Sequence, residues 1–271
     1  MSDTVILVGC GNMGFAMLKG WIDSDALRPG DVHVVEPADG LRERAAKLGV
    51  HAVAESSSLA PDLKPRMVLV AVKPQVMTQV IPTYARFAGA TTFVSVAAGI
   101  PVALFETYLG DKAAIIRCMP NTPSAIGKGM LVTYANANVR DEDAAFVANL
   151  LKTSGQVASI ADESLMDAVT AVSGSGPAYV FHFIECLTDA GITAGLERDT
   201  AALLAMQTVY GAGALAAGSS DSPSKLREQV TSPNGTTAAA LAVLMGENRL
   251  KSLVEEAVEA AKRRSAELGK S

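Results

Sequence analysis

Short apolar runs alternate with longer helical segments over the first part of the chain. Five runs rich in Val, Ile and Ala predict β-strands, at residues 5–8, 32–35, 67–72, 92–96 and 114–117. Each run is apolar at consecutive positions, which is typical of strands covered on both faces. Because helical segments separate the runs, the pattern predicts a doubly wound parallel sheet of the Rossmann type, an α/β domain.

The pattern changes near Asp162. A helix-like segment at 141–154 and an apolar run at 155–160 predict the last helix and strand of the α/β domain. From Glu163 on, strand runs disappear, and long segments rich in Ala, Leu and Gly are separated by Gly-, Ser- and Pro-containing turns. We therefore predict an α/β domain over residues 1–161 and an all-α domain over residues 162–271.

The helical half has few charged residues with which to cover its helices. Such helices expose apolar faces in a monomer, so the pattern favours oligomerisation over the alternative of a tightly packed monomeric bundle. Uncharged stretches at 87–105, 168–184 and 200–220 approach the length of a membrane span. Each contains Gly, Pro or small polar residues, so we interpret them as helices buried in a core or between subunits, with no membrane partner.

Composition narrows the classes of protein further. Hydrophobic residues make up 49% of the chain and charged residues 19%, which indicates a globular protein with a large core. The net charge of −5 and the lack of a Lys/Arg stripe exclude the usual basis of nucleic-acid binding. The three cysteines form no C-x-x-C pair, so the sequence predicts neither a disulfide framework nor a metal site. With no secretory signal pattern at the N-terminus, these features favour the cytoplasm.

A glycine-rich turn follows the first predicted strand and opens a helix. Its sequence fits the G-x-G-x-x-G fingerprint of dinucleotide sites, in which the glycines allow a tight turn and bring backbone N–H groups close to a pyrophosphate. Its six residues are Gly9, Cys10, Gly11, Asn12, Met13 and Gly14. The alternative is a tight strand-to-helix turn without a ligand, which the strand context disfavours.

The second predicted strand ends at Glu36, 22 residues after Gly14. An acidic residue at this position accepts hydrogen bonds from the adenosine ribose, which favours NAD(H) over NADP(H). Arg42 and Arg44 offer a counter-charge for a 2′-phosphate if they turn inward. We expect instead that they lie on a solvated helix face, and the choice between NADH and NADPH stays open.

Further candidate residues follow later strands, at the sheet edge where such folds bind ligands. They are Val72, Lys73, Pro74, Ala98 and Asn121. The chemistry of Lys73 alone is ambiguous between a cofactor contact and a solvated side chain. Cys118 has no nearby His to activate it, so an inert buried thiol is expected.

A polar turn between two helices occupies residues 226–237. Hydroxyl groups and a glycine at a helix N-terminus suit a substrate carboxylate, while simple capping by Ser232, Thr236 or Thr237 is the alternative. Together with the motifs above, this turn makes the chain resemble the pyrroline-5-carboxylate reductase family from end to end. The resemblance rests on the glycine turn and on residues 71–74, 97–99, 119–123, 167–179 and 230–237.

This resemblance implies an N-terminal Rossmann domain, a helical domain that interlocks with a second subunit, and commonly a ring of dimers such as a homodecamer. It implies reduction of 1-pyrroline-5-carboxylate to L-proline by NADPH or NADH, the last step of proline synthesis. The implied cofactor contacts are Cys10, Asn12, Met13, Val72, Lys73 and Ala98, with Asn121 near the nicotinamide. The implied substrate contacts are Glu163, Gln229, Ser232, Gly235, Thr236 and Thr237, with Thr237 as the catalytic residue.

Three positions depart from the family pattern. NADPH-using members often carry a small hydroxyl residue at the position of Glu36 and an asparagine at the position of Ser56, so both departures bear on cofactor choice. Asn234 replaces a glycine, which is tolerable because Asn enters left-handed conformations readily.

Two alternative functions are a β-hydroxyacid dehydrogenase and a non-catalytic dinucleotide sensor. The dehydrogenase would need a lysine base on a helix of the second domain, and no suitably placed lysine is present. Neither the sensor nor a purely structural oligomer explains the polar turn.

Overall fold

The computed structural model describes residues 3–269 as two compact units. The first contains the residues up to Ser175 and those from Ala261 on, and the second comprises Gly176–Ala260. The change in sequence pattern placed the junction near residue 162. The boundary between the compact units falls later, because Glu163 and Ser173 form hydrogen bonds with residues in or just after β6. The predicted domain assignment stays a prediction.

One eight-stranded sheet forms the centre of the first unit. The strands are β1 (Val5–Val8), β2 (Val32–Val35), β3 (His51–Val53), β4 (Met67–Val70), β5 (Thr92–Ser95), β6 (Ala114–Met119), β7 (Gly129–Ala135) and β8 (Gly155–Ser159). Their spatial order is β3-β2-β1-β4-β5-β6-β7-β8, and all neighbouring pairs are parallel except β6 and β7. The predicted Rossmann-type fold is confirmed.

The helices of the first unit cover both faces of this sheet. They are α1 (Asn12–Asp23), α2 (Asp39–Ala46), α3 (Met77–Val80), α4 (Val102–Leu109), α5 (Asp141–Lys152) and α6 (Met166–Val169), followed by a π-helical turn at Thr170–Gly174. Alternate residues of β1 enter different cores: Val5 and Leu7 lie in one apolar cluster, and Ile6 and Val8 lie in the other. This confirms that the consecutive apolar positions of the strands are buried on both faces.

The sheet departs from the predicted parallel arrangement at one pair of strands, β6 and β7. Parallel strands need a crossover of about a dozen residues or more, whereas only residues 120–128 join β6 to β7. The short connection therefore returns β7 antiparallel to β6. Neither β7 nor the three-residue β3 was predicted.

Long helices make up the second unit. They are α7 (Gly176–Thr193), α8 (Arg198–Gly218), α9 (Pro223–Gln229), α10 (Thr236–Met245) and α11 (Arg249–Leu268), the last of which continues into the first unit at Ala261. Helices α7 and α8 pack through small residues: a Cβ at Gly191 would lie 3.2 Å from that of Ala201, which is 2% exposed. Small side chains thus let the two helix backbones approach closely.

Large apolar side chains cover much of the surface of α7 and α8. Phe181, Leu203 and Tyr210 are 58%, 68% and 69% exposed. The expectation that these helices are buried within a core is therefore wrong for the single chain, and burial between subunits is the alternative that remains. By length and composition α8 is also apolar enough to cross a membrane, as core helices of soluble proteins can be.

Candidate active site

The carboxyl ends of five neighbouring strands lie at one edge of the sheet. Val8, the last residue of β1, is in register with Val35 on one side and with Val70 on the other. Val70 pairs in turn with Ser95, and Ser95 pairs with Arg117 of β6. The turns that follow these strands therefore share one edge, and they contain the predicted cofactor residues of the first unit.

The three glycines of the β1–α1 turn have different structural roles. Gly9 has a φ of +85°, and an added Cβ would lie 2.8 Å from Val72 Cγ1. A Cβ at Gly14 would lie 2.3 Å from the Gly9 carbonyl oxygen, so backbone packing requires glycine there. At Gly11, by contrast, an added Cβ would meet no atom within 4 Å.

Open space beside Gly11 fits a bound pyrophosphate. Gly11 is also the N-cap of α1, and no side chain caps the helix there. The first N–H groups of α1 and the positive end of its dipole therefore remain available to an anion. Asn12 and Met13 begin this helix, so the arrangement suits the dinucleotide cofactor that the fingerprint predicts.

Glu36 lies directly after β2 and is 6% exposed. Its Oε2 accepts a hydrogen bond of 2.7 Å from the Cys10 N–H, and its Oε1 accepts one of 2.9 Å from the Ala38 N–H. The carboxylate is therefore fixed against the glycine turn. This contact brings together two of the residues predicted to bind the cofactor.

The expectation of a solvated helix face for Arg42 and Arg44 was wrong. Arg42 Nη1 donates to the Glu36 carbonyl oxygen at 3.0 Å. Arg44 Nη2 donates to the Cys10 carbonyl oxygen at 2.9 Å, and its guanidinium lies 3.9 Å from the centre of the Phe15 ring. Both side chains hold α2 against the ends of β1 and β2, a role that spacing alone did not reveal.

Three further predicted cofactor segments occupy the turns after β3, β4 and β5. Ser56 begins the turn after β3, and Ala98 lies in the turn after β5. After β4, half-buried Val72 approaches Gly9, Lys73 is exposed, and Pro74 begins a short helical turn. These turns therefore lie at the same edge of the sheet as the glycine turn.

Asn121 lies after β6, and its side-chain amide forms hydrogen bonds with two different segments of the chain. Its Nδ2 donates to the Ser173 carbonyl oxygen at 3.2 Å, and its Oδ1 accepts from the Met130 N–H at 2.9 Å. Ser173 belongs to the π-helical turn, a type of distortion that is frequent at functional sites. A Cβ at Gly174 would lie 2.4 Å from Met119 Cε, so the turn packs closely on the end of β6.

Glu163, predicted to contact substrate, lies against the N-terminus of α4. Its Oε1 accepts 2.7 Å and 2.8 Å hydrogen bonds from Arg117 Nη1 and the Val102 N–H. Arg117 is 7% exposed, and Val102 is the first residue of α4, so Glu163 compensates a buried cation and a helix N-terminus together. Its predicted contact with substrate stays a prediction.

Burial keeps the thiols of the first unit protonated. Burial is the main cause that raises the pKa of Cys10 to about 11 and that of Cys118 to about 12. Thiolate is the nucleophilic form, so neither residue suits covalent catalysis at neutral pH, as expected for Cys118. Within residues 3–269, no group of three His, Cys, Asp or Glu side chains is arranged to hold a metal ion.

The polar turn of the second unit leads into α10. Gly235 is the N-cap of α10, and no side chain makes a capping hydrogen bond there, so the capping alternative for Ser232, Thr236 and Thr237 is wrong. A Cβ at Gly235 would lie 2.4 Å from Ser232 Oγ, so a larger residue there would displace the Ser232 hydroxyl. Asn234 has a φ of +59°, in the left-handed region that Asn enters readily.

Thr237 is half-buried, and its hydroxyl has no hydrogen-bond partner among the described residues. The first N–H groups of α10 and this hydroxyl are thus free for a ligand. Gln229 ends α9 and donates from Nε2 to Asp221 Oδ2 at 2.8 Å, both on the surface of the single chain. The turn therefore offers donors suited to a carboxylate.

Sequence reasoning missed Arg117 and Ser173, both of which fix site segments. Arg117 carried a usable signal, because a single charged residue inside an apolar strand requires a buried partner. Ser173 carried no such signal, since the π-helical turn is formed by tertiary contacts with Asn121 and Met119.

Comparison with known proteins agrees with this architecture. Residues 163–268 match a family model described as pyrroline-5-carboxylate reductase dimerisation, and residues 4–99 match one described as NADP oxidoreductase, coenzyme F420-dependent. A pyrroline-5-carboxylate reductase from Pseudomonas aeruginosa is 40% identical over 97% of this chain and 96% of its own length. The chain belongs to the pyrroline-5-carboxylate reductase family.

Solved structures extend this result to the fold. A pyrroline-5-carboxylate reductase from Coxiella burnetii superposes with a TM-score of 0.93 at 32% identity and 100% coverage of both chains. A pyrroline carboxylate reductase from Plasmodium falciparum with NADP bound gives a TM-score of 0.84 at 29% identity and 99% coverage of both chains.

The predicted family, fold and function as an NAD(P)H-dependent reductase of proline synthesis are thereby confirmed. The same finding decides against the β-hydroxyacid dehydrogenase and sensor alternatives. A dimerisation domain is present, and the roles of the individual site residues stay predictions.

Proposed function

We propose that this chain reduces the C=N bond of 1-pyrroline-5-carboxylate with NADH or NADPH to give L-proline. The observation that carries the proposal is that the two turns predicted to bind ligands, beside Gly11 and after Gly235, each lead into a helix N-terminus without a side-chain cap. The first suits a pyrophosphate and the second suits a carboxylate. A dinucleotide and an imino acid are the two ligands that the reaction requires.

In the first unit, the glycine turn and the N-terminus of α1 hold the pyrophosphate. Val72, Lys73, Pro74 and Ala98, with Ser56, position the remainder of the dinucleotide. When bound, the dihydronicotinamide supplies the hydride, so the protein's task is orientation and exclusion of side reactions. Asn121, which follows β6, holds the π-helical turn at Thr170–Gly174 and keeps that wall of the site fixed.

In the second unit, the N–H groups at the start of α10, together with Ser232, Gly235 and Thr236, hold the substrate carboxylate. Thr237 Oγ1 donates a hydrogen bond to the ring nitrogen as it becomes an amine. Hydride adds to the imine carbon and a proton to the nitrogen, which balances the reaction. An imine that arrives protonated needs no strong acid, so a hydroxyl group suffices.

The exposed apolar faces of α7 and α8 support a homodimer, and we propose that dimers associate further into a ring such as a homodecamer. We also propose that the protein acts in the cytoplasm, in keeping with its free cysteines. On this proposal α8 packs between subunits and does not cross a membrane.

The test is oxidation of NADH and of NADPH, followed at 340 nm, with purified protein and 1-pyrroline-5-carboxylate. Cofactor oxidation that requires the imine, with L-proline as the product, supports the proposal. Binding of dinucleotide without imine-dependent turnover contradicts it.

A further inference from the structure

The carboxylate of Glu36 is held in a fixed position at the end of β2. Both of its oxygens accept hydrogen bonds from backbone N–H groups, of Cys10 at 2.7 Å and of Ala38 at 2.9 Å. Only 6% of the residue is exposed, so it has little freedom to swing away from a ligand. Because one of these contacts lies inside the glycine turn, the negative charge is fixed beside the dinucleotide path.

The cations next to Glu36 are already engaged. Arg42 donates from Nη1 to the carbonyl oxygens of Glu36 and Pro37, each at 3.0 Å, and forms an ion pair with Asp39 through Nη2. Arg44 donates to the Cys10 carbonyl oxygen and stacks on Phe15. Arg44 Nε has no hydrogen-bond partner within the described part of the chain but is buried, so it reaches a ligand only if the side chain moves. Movement of either arginine toward a phosphate beside Glu36 would break contacts that hold α2 in place.

In Rossmann domains the adenosine ribose lies at the end of the second strand, where an acidic residue accepts a hydrogen bond from the 2′-hydroxyl. A 2′-phosphate at the same place would meet a fixed carboxylate with no released cation. We infer that Glu36 makes this chain selective for NADH over NADPH. This inference rests on the proposed function, and it concerns this chain rather than the family, since a family member binds NADP.

Equilibrium binding tests the inference without any turnover. Isothermal titration calorimetry gives the Kd of NADH and of NADPH with the same preparation, so a partly folded fraction divides out of their ratio. For the wild type we expect the NADPH Kd to exceed the NADH Kd by about tenfold or more at low salt, from repulsion between two close anions. Equal values would overturn the inference.

Salt dependence separates repulsion by Glu36 from attraction by the arginines. Raising the salt from about 0.01 M to about 1 M shortens the Debye length from about 30 Å to about 3 Å. If Glu36 repels the 2′-phosphate, the ratio of NADPH Kd to NADH Kd falls as salt rises. If Arg42 or Arg44 holds the phosphate, the ratio rises, which would contradict the inference.

Substitution assigns the effect to one side chain. In Glu36→Ser the ratio should fall to within about threefold of unity, mainly through tighter NADPH binding. Glu36→Gln removes the charge at similar size and should shift the ratio in the same direction. Glu43→Gln, the same change on the exposed face of α2, should leave the ratio as in the wild type.

The outcomes distinguish this inference from the proposed function. A ratio that stays high in both Glu36 variants would overturn the role of Glu36 while leaving the reductase intact. Failure of the wild type to bind either dinucleotide would overturn the proposed function and this inference with it. Thermal unfolding of each variant, followed by the fluorescence of Trp21, the single tryptophan, verifies that the first unit is folded.

Discussion

At the scale of single residues, two glycines of the same motif need different explanations. Gly14 is required by the fold, because its Cα approaches the Gly9 carbonyl oxygen closely. Gly11 has an ordinary φ of −62° and open space around it, so nothing in the described chain requires glycine there. On the proposed function, a bound pyrophosphate is the reason for glycine at this position.

This difference predicts opposite results for two alanine substitutions. Gly11→Ala should leave the free energy of unfolding within about 1 kcal/mol of the wild type while weakening NADH binding by about tenfold or more, because its methyl group enters the pyrophosphate space. Gly14→Ala should destabilise the protein by about 2 kcal/mol or more through backbone clash. Urea unfolding and calorimetric binding measure the two effects, and equal loss of stability in both variants would contradict the assignment.

Thr237 is the residue on which the proposed chemistry depends most. Thr237→Ala should reduce kcat/KM by roughly 10- to 1000-fold, since a hydrogen bond formed in the transition state is lost. Thr237→Ser keeps the hydroxyl and should retain most of the activity. Wild-type kinetics in the alanine variant would exclude the role, provided that thermal unfolding shows both variants folded.

At the scale of elements, most of the strands but not all of the contacts were predictable from sequence. Strands β1, β2, β4, β5 and β6 stood out because consecutive apolar residues reflect burial on two faces. Strands β3 and β7 were missed, since β3 has only three residues and β7 follows β6 without an α-helix between them. Contacts such as Asn121 with Ser173, or Glu36 with Cys10, join residues far apart in sequence and leave no periodic signal.

The Glu163–Arg117 ion pair ties the segment before α6 to β6 and to α4. Glu163→Ala leaves Arg117, which is 7% exposed, without its partner and should lower the stability of the first unit by about 2–3 kcal/mol, a value reduced for the partial exposure of Glu163. Glu228→Ala removes an exposed pair with Lys225 and should change stability by less than about 0.5 kcal/mol. Thermal unfolding followed by Trp21 fluorescence compares the two, and similar effects would contradict the structural role of Glu163.

The pairing of β2 with β3 stacks His33 on His51, with ring centres 4.8 Å apart. Burial, and then the charge of His51, lower the pKa of His33 below 6.5, against an opposing effect of Asp31. The folded state therefore resists protonation. The stabilising contribution is complete above about pH 6.5 and is lost as the pH falls toward the folded pKa.

His33→Gln should accordingly flatten the decline of unfolding free energy between about pH 7 and about pH 5. Urea unfolding at several pH values measures the slope. Parallel curves for the variant and the wild type would show that His33 does not carry the dependence. His51→Gln should reduce the slope in part, because only the smaller cause of the shift is removed.

At the scale of the whole molecule, the exposed apolar surface of α8 predicts self-association. Leu203 and Tyr210, seven positions apart on one helix face, are each more than two-thirds exposed. Leu203→Glu with Tyr210→Glu should shift the wild-type assembly toward monomer by placing charges in an apolar interface. Sedimentation velocity measures the change, with Lys152→Glu on α5 as a charge-reversal control. An unchanged assembly in the double variant would move the interface elsewhere.

The return of α11 to the first unit has a consequence for how the protein is made. Ser265 donates to Asp167 Oδ1 at 2.6 Å, and a Cβ at Gly99 would lie 3.3 Å from the Gly269 nitrogen. When the last strand of the sheet has been synthesised, the α11 residues that contact the first unit have not yet been made. The surface around Asp167 and Gly99 of the nascent first unit therefore stays uncovered by α11 until more than 100 residues after Ser159 have been translated.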